Sequence, residues 1–343
     1  MTGLRNDFSP VFATREYGPI IENLNKYGIQ CYIIGEKGVL GSSYIRSFLK
    51  ILKKHNIEII HLNTLTPFCK YAAIAGYLRR IPIVWVVREN PLISRSRRLR
   101  FWLTSLASKI IFVDRDTKEK LIQNSRHNVE VIYNGVDINV FKPAQSNFLF
   151  EKFHIDSGKQ LIGYIGLITR RKGIEYLIRA LPLVKEKTDA IKLIIIGEYK
   201  QSDESYFAEI KRIIKDLSLE NDVYFTGLLK DVRDAINSLD VVVLPSLEER
   251  CSRSLLESLA CAKAAVATRV GGSPEIVENG VNGILVEPEN EKQLAEALIK
   301  LLGDQELRRQ MGENGRLKAE EKFNMDKHIQ KMKKVFFEVH RQR

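Results

Sequence analysis

The chain has 343 residues, 44% of them hydrophobic and 28% charged, with a formal charge of +12 at pH 7. This exceeds a usual single domain and predicts two domains of ~150–200 residues. Apolar runs such as "VVVL" and "IIFV" fall far below the ~18 residues a membrane span requires, and no apolar leader opens the sequence, which points away from secretion.

Along the chain, short β-branched runs alternate with longer amphipathic segments. After "SPVFAT" the first half reads as helix "REYGPIIENLNKYG", strand "CYIIG" and helix "SYIRSFLKILKKHN", followed by strands "IEIIHLN", "IPIVWVV", "KIIFVD" and "EVIYN". A seam falls in the polar, Pro-containing stretch "FKPAQSNFLFEKFHIDSGKQ". Beyond it come "LIGYIGL", helix "GIEYLIRALPLVKEK", "IKLIIIG", helix "ESYFAEIKRIIKDLS", "VYFTG", "DVVVLPS", helix "SRSLLESLAC", "AAVATR" and "GILVE". Runs apolar almost throughout suit strands covered on both faces of a parallel sheet. The alternation predicts a doubly wound α/β architecture twice over, with domains at 1–145 and 146–324. The tail, 325–343, is a basic amphipathic helix. Its Ile329, Met332, Phe336 and Val339 recur at three-to-four spacing and are expected to pack on protein rather than on lipid.

The charge is uneven. Residues 1–150 carry 22 Lys and Arg against 11 Asp and Glu, whereas the remainder carries 32 against 31. The first half therefore suits something anionic, and nucleic acid, acidic lipid and phosphorylated substrate all stay open on this ground. No reader motif or interleaved stacking aromatics accompany the basic residues, so no nucleic-acid partner is expected. Cys31, Cys69, Cys251 and Cys261 are scattered, without metal spacing, and read as reduced cytosolic thiols.

In open parallel sheets, ligands bind at the carboxyl ends of strands, where helix N-termini present unpaired N–H groups. Three such ends are chemically unusual. After "LIGYIGL" the loop Thr169-Arg170-Arg171-Lys172-Gly173 is cationic and suits a diphosphate, although a basic loop is often merely solvated. After "DVVVLPS" a helix begins near Ser252 or Ser254, with Glu249 in the loop before it and Glu257 inside it. Those two carboxylates are either sugar-hydroxyl acceptors or solvated surface groups. After "AAVATR", Gly271-Gly272 permits close backbone approach, and Pro274-Glu275 opens another helix.

Taken together and in order, "VIYNGVDINVFKP", "GYIGLITRRKGIEYLIRAL", "LPSLEERCSRSLLESLAC" and "TRVGGSPEIVENGVNGILVEP" resemble the family 4 glycosyltransferases over residues 16–340. The resemblance implies the GT-B fold: two facing Rossmann-like, doubly wound parallel-sheet domains, with a C-terminal helix returning toward the N-terminal domain. It implies a retaining glycosyltransferase that takes a nucleotide-sugar donor. The acceptor would be a glycan or lipid-linked, in cell-envelope polysaccharide or lipopolysaccharide biosynthesis, at the cytoplasmic side or the inner membrane face. Lys172 would neutralise the diphosphate, with Arg170 and Arg171 beside it and the backbone at Ser254 and Leu255 in support. Glu257 would bind the ribose and Glu249 the transferred sugar, with Gly271, Gly272 and Glu275 nearby. No metal and no other cofactor is implied.

The sequence departs from that pattern in places. Leu167 stands where the family has an arginine, and Ala262 and Ala264 stand where it has a glycine and a proline. The opening lacks a glycine-rich loop, so the first strand is expected to be missing or cut short. Arg88 replaces a histidine after "IPIVWVV"; with Glu89 it either serves the acceptor side or forms a structural ion pair. Arg95, Arg97, Arg98 and Arg100, flanking Phe101, Trp102 and Leu103, suit either anionic headgroups or plain solvation. The alternative function is a degenerate relative that binds nucleotide or a partner enzyme without turnover. A sugar-nucleotide epimerase on the same fold is a further option.

Overall fold

The computed structural model describes residues 7–35, 41–64, 66–88, 105–121 and 128–342. They fall into two compact units, Met1–Tyr133 with Asp326–Arg343, and Asn134–Met325.

In the first unit, β1 (Val11–Thr14) and β2 (Gln30–Ile33) pair in parallel. A second parallel sheet runs β3 (Ile60–Leu62), β4 (Ile83–Val87), β5 (Lys109–Phe112) and β6 (Val129–Val131), in that spatial order. Of the two expectations for the first strand, missing or cut short, the structure removes the first: β1 is present, with four residues. It escapes the hydrophobic pattern because its four residues are only half-buried and pair with β2 alone among the described strands. The apolar positions of α1 (Pro19–Lys26) bury Ile21 and Leu24. Those of α2 (Gly41–Lys54) bring Phe48 and Leu52 onto Trp85 and Val87, alongside Ala72, Ala73 and Ala75 of α3 (Pro67–Leu78).

The C-terminal helix Met325–Arg341 belongs to this unit. It buries Met332, Val335, Phe336 and Val339, while Ile329 is half-buried. Phe336 meets Phe8 edge to face at 5.6 Å, and Lys333 pairs with Asp7.

The division falls at Tyr133, ahead of the polar stretch that marks the seam in the sequence. Residues just after it are tied into the second unit: the Val136 amide donates to the Phe323 carbonyl at 2.7 Å. Arg316 also donates to the carbonyls of Ile138 and Phe141, at 3.1 and 2.7 Å.

The second unit is built on β7 (Gln160–Ile165), β8 (Ile191–Ile196), β9 (Val223–Gly227), β10 (Val241–Leu244), β11 (Ala264–Thr268) and β12 (Gly283–Val286), all parallel. Their spatial order is β12-β11-β10-β7-β8-β9. Successive residues face opposite sides of the sheet. Ile162, Tyr164, Leu193, Ile195, Val241 and Val243 pack against helices Ile174–Lys185, Glu204–Asp216 and Glu291–Gly303. Leu161, Ile165, Ile194, Ile196 and Val242 join a separate core with Leu149, Ala235 and Ile236. Both faces are covered, which is why these strands read as unbroken apolar runs.

None of the described helices is long and apolar enough to cross a membrane. The four cysteines are free thiols.

Candidate functional site

In the order β12-β11-β10-β7-β8-β9, the chain starts at β7, builds outward through β8 and β9, then returns to the other flank of β7 with β10. That reversal is a topological switch point, and the crevice beyond the carboxyl ends of β7 and β10 is where such sheets hold ligands. The loop after β7 contains Lys172, and the loop after β10 contains Glu249.

Local structure brings the two together. Beyond β7 the chain turns through a 3-10 helix, Arg170–Lys172, and Gly173 follows with φ of +60°. A Cβ at Gly173 would lie 2.2 Å from the Pro245 carbonyl oxygen, so only glycine permits this approach of the two loops. The amides of Leu247 and Glu248 donate to the Arg171 carbonyl at 2.8 and 3.3 Å, joining the loops further. Lys172 then donates to Oε2 of Glu249 in an ion pair, both residues being 8% exposed. Ser246 Oγ donates to the same oxygen at 3.3 Å, and the Arg250 amide donates to Oε1 at 3.1 Å.

A third strand end closes on these two. Thr268, the last residue of β11, donates through its hydroxyl to the Ser246 carbonyl at 2.5 Å. Gly271 has φ of +51°, and a Cβ there would stand 1.8 Å from the Glu249 carbonyl oxygen. Gly272 is buried behind it. Glu275 follows on the short helix Ser273–Ile276; its carbonyl accepts from Lys322 at 3.4 Å.

Helix Arg253–Ala260 starts at Ser252, whose extended backbone and hydroxyl form the N-cap and accept from the Leu255 amide at 3.4 Å. Of the two serines considered, Ser252 is the cap. Ser254 lies two residues further in, with its hydroxyl 3.2 Å from that of Ser252. Leu255, Leu256 and Leu259 are buried. Glu257 is half-buried, and burial raises its carboxyl above the usual range while Arg253 opposes the shift.

The structure thus gathers Lys172, Glu249 and Gly271 into direct contact and sets Ser254, Leu255 and Glu257 on the helix that follows. Arg170 is drawn elsewhere. It pairs with Glu209 at 2.5 Å and lies 4.9 Å from the Tyr206 ring centroid, while Tyr206 donates to the buried Glu175. Arg171 is exposed. In the first unit, Arg88 at the end of β4 donates through Nε to Asn63 Oδ1 at 2.8 Å. Glu89 and the whole stretch bearing Arg95, Arg97, Arg98, Arg100, Phe101, Trp102 and Leu103 lie outside the described residues.

Three polar residues were given no role from sequence. Ser246 and Thr268 hold the Glu249 loop, and both stand at carboxyl ends of buried strands, the signal that could have marked them. Thr169, in the basic loop, has a buried hydroxyl without a hydrogen-bond partner among the described residues. Nor do the described residues hold a group of three His, Cys, Asp or Glu able to bind a metal.

Comparison with known proteins adds a further line. The model for glycosyl transferases group 1 matches residues 145–318, and that for Glycosyltransferase Family 4 matches residues 5–140. The chain is 26% identical over 304 residues to the N-acetyl-alpha-D-glucosaminyl L-malate synthase of Bacillus anthracis, covering 84% of this chain and 77% of that one. It is 28% identical over 310 residues to the capsular polysaccharide biosynthesis glycosyltransferase CapM of Staphylococcus aureus, covering 82% and 78%. In fold it is similar to the crystal structure of Anabaena Alr3699/HepE in complex with UDP, with a TM-score of 0.86, 24% identity, and 96% and 92% of the two chains covered.

Proposed function

The chain belongs to the glycosyl transferases group 1, a glycosyltransferase of the GT-B fold, and we propose that it moves a sugar from a nucleotide-sugar to a glycan or lipid-linked acceptor, with retention of anomeric configuration. The observation that carries this reading is the meeting of Lys172 and Glu249 at the switch point between β7 and β10. A buried ammonium there neutralises a diphosphate, and the first turn of helix Arg253–Ala260 adds the backbone N–H at Ser254, with that of Leu255 shared with its Ser252 cap. Glu257 receives the ribose hydroxyls, and Glu249, Gly271, Gly272 and Glu275 surround the transferred sugar. As the glycosidic bond breaks, charge grows on the leaving diphosphate, and a fixed cation stabilises it at the moment of reaction. That phosphate also helps take the acceptor proton. Arg171 is a second cation for this group, and Arg88 in the first unit serves the acceptor. The proposal needs no metal for these roles.

UDP is the first nucleotide to test, since HepE was solved with UDP. The name of CapM supports polysaccharide assembly as the setting, with lipopolysaccharide and a membrane-face location as finer variants. A second reading, binding without turnover, is motivated by Leu167 in place of the family's arginine. The deciding experiment is a thermal-shift screen with UDP, GDP and ADP, followed by a transfer assay with the matching sugar nucleotides. A ligand at 100 times its dissociation constant adds ~2.7 kcal/mol of stability. No shift with any of the three sinks the proposal; a shift without hydrolysis or transfer leaves the non-catalytic reading standing.

A further inference from the structure

We infer that Glu249 is an internal competitor for the diphosphate: its carboxylate occupies the Lys172 ammonium until the donor's phosphates displace it, and the oxygen so released then accepts sugar hydroxyls. The inference rests on the reading of the β7 loop as a diphosphate site, and it assigns to the ion pair a role in choosing intact donor over spent nucleotide.

The geometry is specific. Both oxygens of Glu249 are engaged by protein donors, Oε2 by Lys172 and Ser246 and Oε1 by the Arg250 amide. Oε2, with two donors already, has no acceptor site left for a sugar while the pair stays closed, whereas Oε1 takes one donor. Lys172 commits one of its three N–H donors to the carboxylate, its side chain being 10% exposed. The loop is also held from behind: Gly271 contacts the Glu249 backbone, and Thr268 bonds to Ser246. The pair is therefore a built feature of three interlocked strand ends.

An arriving nucleoside diphosphate offers Lys172 a stronger anion, but it also places negative charge beside a buried carboxylate that loses its partner. Removing one member of a buried pair leaves an uncompensated charge, which is strongly unfavourable. A free nucleoside diphosphate can do nothing about this. A nucleotide-sugar brings hydroxyl donors to the same place, and these satisfy the displaced carboxylate. The site thereby holds donor more tightly than the nucleotide left after transfer, and product release is built into the ion pair. Glu249 acts partly through Lys172 and is to that extent a positioning residue.

The test is isothermal titration of the wild-type chain, Glu249→Gln, Glu249→Asp, Lys172→Ala and the Glu249→Gln/Lys172→Ala double variant. The probes are UDP, GDP and ADP, and then the glucose conjugate of whichever binds. Glu249→Gln removes the competing charge and keeps the shape, so the free diphosphate should bind about tenfold tighter, the equivalent of ~1.4 kcal/mol. Glu249→Asp, which withdraws the carboxylate by one methylene, should move the same way and serves if the first variant does not fold. In the Lys172→Ala background the Glu249→Gln change should tighten binding clearly less than in wild type, because only the direct repulsion of the phosphates is then relieved. Wild type should prefer the sugar conjugate over the free diphosphate, and Glu249→Gln should lose that preference. Unchanged or weaker diphosphate binding in both Glu249 variants overturns the inference while leaving the donor site intact. If none of the three nucleotides binds wild type, the donor-site reading fails and the inference falls with it.

Discussion

Gly271→Ala is the substitution that most directly tests whether three strand ends lock into one site. At Gly271 φ is +51°, and the added Cβ would stand 1.8 Å from the Glu249 carbonyl oxygen. One of the two must move by roughly 1.5 Å to regain contact distance. The left-handed backbone costs alanine ~1–2 kcal/mol, and the overpacking typically ~1–3 kcal/mol more. A melting temperature lowered by roughly 5–15 °C follows for a unit of this size. A catalytic group displaced by about 1 Å can lose ~100-fold in rate, and the group displaced here is Glu249 together with the lysine it holds. Gly280→Ala is the control: φ is +81°, yet no atom lies within 4 Å of its Cβ position. It should cost the backbone term alone and leave transfer unchanged. Calorimetry and kcat/KM on both variants decide the matter. If Gly271→Ala melts like Gly280→Ala and transfers sugar at the wild-type rate, the loop is not held by this contact and the interlocking argument is wrong.

Other predictions follow from the same geometry. Ala262 sits at φ of +54° just beyond helix Arg253–Ala260, a left-handed position that favours glycine, so Ala262→Gly should raise stability by ~1 kcal/mol, or about 2–4 °C on melting. Lys172→Ala should cut turnover at least ~10-fold, whereas Arg170→Ala, whose partner is the half-exposed Glu209, should cost under ~1 kcal/mol of stability and leave nucleotide affinity nearly unchanged. A loss of affinity in Arg170→Ala equal to that in Lys172→Ala would reverse the assignment. The Glu257 carboxyl is raised by burial from its ordinary 4.5, so its favourable contribution is complete below that value and is lost as pH rises through the raised one. Glu257→Gln should therefore melt like wild type below about pH 4 and above it near neutrality; parallel melting curves across that range would contradict the buried carboxylate.

Much of the fold is legible in the sequence because parallel strands buried on both faces leave runs such as "KLIII" and "VVVL" that few other structures tolerate. β1 is not legible: "VFAT" is short, half-buried and paired on one side among the described strands. Helix α3 buries Ala72, Ala73 and Ala75, small residues that give a weak periodic signal. Helix Gln305–Lys322 hides for the opposite reason. It is mostly polar and contains Gly312 and Gly315, which look like breakers. Gly312 is in fact a packing residue, since a Cβ there would lie 2.1 Å from the Ala262 carbonyl oxygen. Within the site, "TRRK" marks a cationic loop without telling its three cations apart. A 3-10 turn advances each side chain by about a third of a revolution. Arg170 is thereby aimed at Glu209 and Lys172 at Glu249.

The pairing of Lys172 with Glu249 is the part that no local pattern could carry. The two are 77 residues apart in sequence, and between them the chain builds two further strands with their helices on the far flank of β7. Only the return of β10 to the near flank, where Val241 and Val242 pair with Ile162 and Gly163, sets the ends of the two strands side by side. Had the chain continued outward past β9, the lysine loop would have had a different neighbour and the carboxylate a different environment. The right-handed crossover rule makes such a return the ordinary outcome for a sheet covered on both faces. The chemistry of the site is therefore a property of strand order first, with the glycines at 173 and 271 serving to let three loops reach contact.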